Sequence, residues 1–164
     1  MRALQFTEYG GPEVLTWEDA PVPHAGPGQI RIAVRAASVN PADWKLLAGA
    51  MSGGQPLAGM GYLGYDAAGV VDEVGEGVAG VSVGDDVFGR GQNTQAEYAV
   101  LDAWAAKPPS IDWAVAAAAG VAGRLVNAVF ACSASRLVTR SSSTVARAAW
   151  ERSPCRWRWS AGRG

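Results

Sequence analysis

The sequence predicts a mainly β fold: a compact β-barrel or related sheet with a few short helices, followed by a tail of different composition. Three observations carry this. Short apolar segments with a period of two recur through residues 1–123, as in strands with one buried face. Gly and Pro clusters separate them at short intervals, and helical patterning is scarce. From Arg124 the composition changes abruptly to arginine, serine, alanine and tryptophan.

The elements follow in order. Met1–Phe6 alternates apolar and polar residues and stops at Gly10–Gly11–Pro12, so it predicts a first strand. Val14–Asp19 predicts a second, and the Pro21–Gly28 stretch a long connection. Gln29–Ser38 is the clearest strand, with Ile30, Ile32, Val34 and Ala36 on one face and Arg31 and Arg35 on the other. Asn40 before Pro41 predicts a capped helical turn through Ala48. Gly49–Gly61 reads as a loop, Ala68–Val74 as a strand, and VGEGVAGVSVGDDVFG as three turn signals around short apolar pieces. Ala96–Leu101 predicts another strand. Pro108–Pro109 breaks the sheet, and Ser110 or Asp112 caps an alanine-rich helix through Ala119.

An apolar fraction of 49% suits a globular chain, and no apolar run nears the roughly 20 residues that span a bilayer. The N-terminus lacks a signal-peptide core, so a cytoplasmic location is expected. The net charge of −1 conceals a split, −8 over residues 1–123 and +7 over 124–164. Cys132 and Cys155 both fall in the basic part without neighbouring histidines, and neither is expected to hold zinc or form a disulfide. His24, in a proline-rich connection, reads as a surface residue.

Three stretches occur in order and at telling separations: SVNPADWKLLAG (38–49), LGYDAAGVVDEVGEGVAGVSVGDDVFG (63–89) and TQAEYAV (94–100). Together they resemble the N-terminal GroES-like catalytic domain of the medium-chain dehydrogenase/reductase superfamily, most nearly its zinc-independent quinone oxidoreductase branch. The resemblance covers residues 1–121 and implies a partly open β-barrel with a few short helices there, followed by a non-native or disordered tail. Much of it is scaffold: Gly69 would let a strand pass close to backbone, Gly75, Gly77 and Gly84 would permit positive-φ turns, and Asp85 would bond local amides.

In zinc-dependent members a cysteine and a histidine ligate the catalytic metal; by motif register those positions fall on Asn40 and Tyr65 here. Neither is a usual zinc ligand, so no zinc is expected. The resemblance instead implies hydride transfer from NADPH to a quinone or an enone. Asn40, Asp43, Trp44 and Tyr65 would line the cleft. Asn40 would donate a hydrogen bond, Tyr65 a hydrogen bond or proton, and Trp44 would wall a flat ring. Helix capping by Asn40 and simple packing of Trp44 and Tyr65 are the alternatives. Asp43 and Asp66 are expected to organise backbone around the cleft.

A dinucleotide-binding domain should follow the helix at Asp112–Ala119, yet no glycine-rich turn appears there. Codons permitted for Ser141–Arg152, read one frame over, yield Phe-Val-Asp-Gly-Gly-Ala-Gly-Gly-Val-Gly-Ala, a strand end and glycine-rich loop. Residues 124–164 are therefore expected to be a frameshifted remnant of that domain. The full-length parent would bind NADPH and form a homo-oligomer, whereas this chain would bind no cofactor tightly and lack activity alone. Two other readings stand beside this one: a non-catalytic GroES-like binding module, or a basic tail binding nucleic acid or an anionic membrane.

Overall fold

The computed structural model describes residues 1–122. The tail at 124–164, with its remnant, nucleic-acid and membrane readings, lies outside them. Seven strands form two groups: β1 (Arg2–Phe6), β2 (Thr16–Asp19), β3 (Ile30–Ala37), β4 (Gly61–Tyr62), β5 (Asp66–Val74), β6 (Asp86–Gln92) and β7 (Tyr98–Ala106). Helix α1 spans Pro41–Leu47, and a second helix, α2, covers residues 113–122. A 3₁₀ turn over Pro12–Val14 shortens the predicted second strand, which starts only at Thr16.

Strands β3, β5, β6 and β7 pair antiparallel into a closed barrel, while β2, β1 and β4 form a separate three-stranded sheet. The ring closes where the resemblance anticipates partial opening; the open edges belong to the second sheet. Closure depends on β7, whose Leu101 pairs with Ile30 on one side and Gly91 on the other. Strand β7 also runs five residues beyond the predicted Leu101, since Leu101–Ala106 continues the ladder with β6.

The β3 pattern is realised at Ile30, Ile32 and Val34, whereas beyond a register shift Ala36 packs with Ala68 and Ala116 instead. Ile30 and Ile32 are fully buried and join Ala67, Val71, Val87, Ala99 and Leu101 in the barrel core. Each fully buried isoleucine, valine or leucine among them contributes about 1.5–3 kcal/mol by burial. On the outer face, the Arg31 guanidinium lies 2.9 Å from Asp72 and 2.6 Å from Glu73. It also donates to the Pro23 carbonyl and stacks 5.5 Å from the Tyr98 ring. The bonds to Asp72 chiefly raise its pKa. His24 is surface-exposed, with Nδ1 3.2 Å from Glu73.

Two smaller clusters flank the barrel. Phe6, Leu47 and Leu63 join β1, α1 and the segment after β4. Ala68, Ala116 and Ala117 seat α2 against β5, with Phe88 and Trp113 beside them. Asp112 caps α2, accepting the Val115 amide at 2.7 Å. Gly77 and Gly84 do adopt positive φ, and Asp85 accepts the Ser82 amide at 2.8 Å. Gly75 is a correction: its φ is not positive, and it is glycine because a Cβ would meet the carbonyls of Gly26 and Gln29. Gly69 likewise faces the Ala33 carbonyl of β3.

Candidate functional site

Three carboxylate- and amide-bearing segments converge beside the barrel: the β3–α1 junction, the loop between β4 and β5, and the β6–β7 loop. At the first, Pro41 stands at the start of α1 and Asn40 is its N-cap in extended backbone, φ −115° and ψ 159°. Asp43, at the third helical position, returns its Oδ2 to the Asn40 amide at 2.6 Å. Its other oxygen accepts the Gly64 amide at 2.7 Å. Asp43 is 1% exposed, and both its oxygens are engaged. The carboxylate thus ties the helix start to the segment preceding β5.

A second tie runs to Asp66. Its Oδ2 accepts the Ser38 hydroxyl at 2.8 Å and Asn40 Nδ2 at 3.0 Å, while Asn40 Nδ2 lies 3.1 Å from Ser38 Oγ. The Asp66 carbonyl accepts from Thr94 Oγ1 at 2.8 Å, and both residues are fully buried. Gln95 reaches the Ser38 carbonyl at 3.4 Å, linking the β6–β7 loop to the same junction.

Tyr65 stands between these anchors. Gly64 on one side is held by Asp43, and Asp66 on the other by Asn40 and Ser38. Its carbonyl accepts the Gly91 amide at 3.0 Å, and its side chain is half-buried. Gly64 has φ +102°, and a Cβ there would lie 2.7 Å from the Gln95 amide nitrogen. The Gly-Tyr-Asp order therefore depends on glycine in the first place.

Of the four residues singled out from sequence, the structure joins Asn40 and Asp43 directly and holds Tyr65 through its neighbours. Trp44 is set apart. It is 58% exposed on α1, with Lys45 Nζ 5.7 Å from its ring centroid, so it is not a core residue. Asp43 accepts from two backbone amides, whereas the Asp66 side chain accepts from two side-chain donors rather than from backbone. Sequence reasoning passed over Ser38, Thr94 and Gly64. Ser38 and Thr94 are common polar residues whose partner is 28 positions away, and no local pattern marks such a pairing.

A cavity of about 530 Å³ lies elsewhere, between the N-terminal sheet and β7, lined in part by Met1, Gln29, Tyr62, Gln92 and Tyr98. It contains none of the four candidates. Among the described residues, no group of three or more His, Cys, Asp or Glu side chains is placed to hold a metal ion. No helix there is long and apolar enough to cross a membrane.

Residues 26–127 match the family of alcohol dehydrogenase GroES-like domains. The 2-methylene-furan-3-one reductase of Solanum lycopersicum is 35% identical over 132 residues, covering 72% of this chain and 34% of that protein. The quinone oxidoreductase from Coxiella burnetii superposes with a TM-score of 0.65 at 34% identity, over 75% of this chain and 42% of that one. The Escherichia coli quinone oxidoreductase, solved with NADPH, gives a TM-score of 0.63 at 26% identity, over 71% and 38%. The chain therefore spans between a third and somewhat under half the length of these relatives.

Proposed function

The chain belongs to the alcohol dehydrogenase GroES-like domain family, and from that membership we propose that residues 1–121 form the substrate-side half of a zinc-independent, NADPH-dependent oxidoreductase. Its acceptors would be quinones or alkenes conjugated to a carbonyl. The observation that carries this reading is the frame around Asn40 and Tyr65, where zinc-dependent members carry metal ligands. Here those positions are locked into a hydrogen-bonded scaffold by Asp43 and Asp66. On this reading neutral donors would take the place of a Lewis acid. The quinone oxidoreductase and furanone reductase relatives support the acceptor class, and the NADPH-bound relative supports the cofactor.

NADPH, when bound, would supply the hydride. Among the described residues no glycine-rich turn joins a strand to a helix N-terminus, so its pyrophosphate would be held by residues outside them. This part of the chain would orient the acceptor. Asn40 would donate to the acceptor oxygen, and Tyr65 would donate a hydrogen bond or its phenolic proton as charge develops there. Trp44, exposed on α1, would cover one face of a planar ring once a second domain closes over it.

The proposal takes residues 124–164 as an out-of-frame remnant of the dinucleotide-binding domain, so this chain alone would show no turnover. The full-length parent would be a cytoplasmic homo-oligomer. The test compares two proteins: this chain, and one translated in the alternate frame after Gly123. Loss of reduced-cofactor absorbance with a quinone is expected only from the second. Saturable turnover by the first, or stop codons throughout the alternate frame, would sink the remnant reading. A correctly folded second protein that reduces neither quinone nor enone would sink the substrate reading.

A further inference from the structure

Asp66 is 0% exposed and opens β5 opposite Arg90. Its Oδ2 accepts two donors, while its Oδ1 is buried with no hydrogen-bond partner. That oxygen lies beneath α2 at Gly120, where a Cβ would stand 2.8 Å from Oδ1 and 2.7 Å from the Gly89 carbonyl. A buried carboxylate with one idle oxygen is a costly way to hold a serine and an asparagine. An asparagine at position 66 would offer Ser38 and Asn40 the same acceptor, with an amino group in place of Oδ1.

The chemistry of the partner supplies a reason for the carboxylate. The Asp66 oxygen that meets Asn40 already accepts two donors, whereas an amide both donates and accepts and is nearly symmetric to a 180° flip. Opposite Asp66, the Asn40 amide has one favourable orientation, with Nδ2 inward, because the flipped form would set Oδ1 against a carboxylate oxygen. Opposite an asparagine, either orientation of Asn40 could find a partner.

The geometry also says which hydrogens are used. Nδ2 of Asn40, Oγ of Ser38 and Oδ2 of Asp66 form a nearly equilateral triangle of 3.1, 3.0 and 2.8 Å. The two acceptors subtend far less than the roughly 120° between the two N–H bonds of an amide. One N–H can be directed into that triangle. The other must point away from it.

We propose that Asp66 is the positioning residue of the cleft: as a buried, acceptor-only partner it fixes the orientation of the Asn40 amide, leaving one N–H outward for the oxygen of a bound carbonyl compound. The ligand in this statement rests on the functional reading above, while the amide orientation does not. Gly120 belongs to the same device, since any larger residue there would press on Oδ1.

The test uses the whole 164-residue chain and the Asn40 side-chain amide resonances, assigned by their loss in Asn40→Asp. In the parent, one set of two unequal protons is expected, one of them exchanging slowly. In Asp66→Asn the slow proton should exchange about tenfold faster or more, or a second set should appear, with backbone resonances of Ile30 and Leu101 unchanged. Ser38→Ala, which keeps Asp66, should retain a single set with a protected proton. Folded Asp66→Asn protein with an unaltered Asn40 pair would overturn the proposal, as would loss of orientation in Ser38→Ala. Tetramethyl-1,4-benzoquinone is then titrated into each. Selective shifts of the outward proton in the parent, weakened about tenfold in Asp66→Asn, support the ligand part. Absence of any shift in the parent overturns the quinone reading but leaves the orientation result standing.

Discussion

Replacing Asp43 by alanine should unfasten the site and much of what surrounds it. Asp43 is buried and accepts two backbone amides, Asn40 at 2.6 Å and Gly64 at 2.7 Å. Hydrogen bonds to a charged acceptor contribute about 1.5–3 kcal/mol each, and the Gly64 donor would be left buried without a partner. The two together give a loss of about 3–6 kcal/mol. At about 4 °C per kcal/mol for a unit of this size, the unfolding midpoint should fall by roughly 12–24 °C. Asp43→Asn retains one acceptor but turns an amino group toward the other amide, so about 2–3 kcal/mol should be lost. The assay is urea and thermal unfolding followed by far-ultraviolet circular dichroism. If Asp43→Ala stays within about 1 kcal/mol of the parent, the two bonds do not hold this junction together and the account of the frame is wrong.

Gly64→Ala should destabilise by about 2–4 kcal/mol, combining a positive-φ penalty with contact against Gln95; a change within experimental error would show that the loop relaxes freely. Exposed Glu13 should titrate below the ordinary carboxylate range, because its own backbone amide and that of Gly11 donate to it. A depressed folded pKa means that its contribution is present above the unfolded value and disappears as pH falls through the folded one. A proton-coupled carboxyl titration by NMR checks this, and an ordinary or raised value would contradict it.

The barrel was legible where burial follows a simple period. Ile30 and Ile32 announced β3 because one face meets the core and the other carries Arg31 to solvent. Strand β6 was not legible, since Asp86–Gln92 reads as turn chemistry with Gly89 and Gly91 inside it. Those glycines exist because a Cβ at either would run into carbonyls of β7, at Ala103 and Val100, a cause located on another strand. The extension of β7 through Ala106 was hidden for a similar reason, its outer half being mostly exposed and paired only with β6.

At the site, Asn40 was visible as a helix cap before Pro41, whereas Asp43 came only with the motif that carries the family resemblance. The Ser38–Asn40–Asp66 triangle joins positions 26 and 28 residues apart, which periodicity does not report. Gly120 was invisible for the same reason, its neighbours Gly89 and Asp66 lying far upstream.

The hydrogen-bonded ring is complete at Ala106, although its closing ladder reaches back to Ile30. During synthesis, then, the first staves must wait for some seventy more residues, which favours slow assembly. Once that residue has cleared the ribosome, nothing made later is needed to seal the hoop. The ring's own ladder thus makes no demand on the residues that come after Ala106.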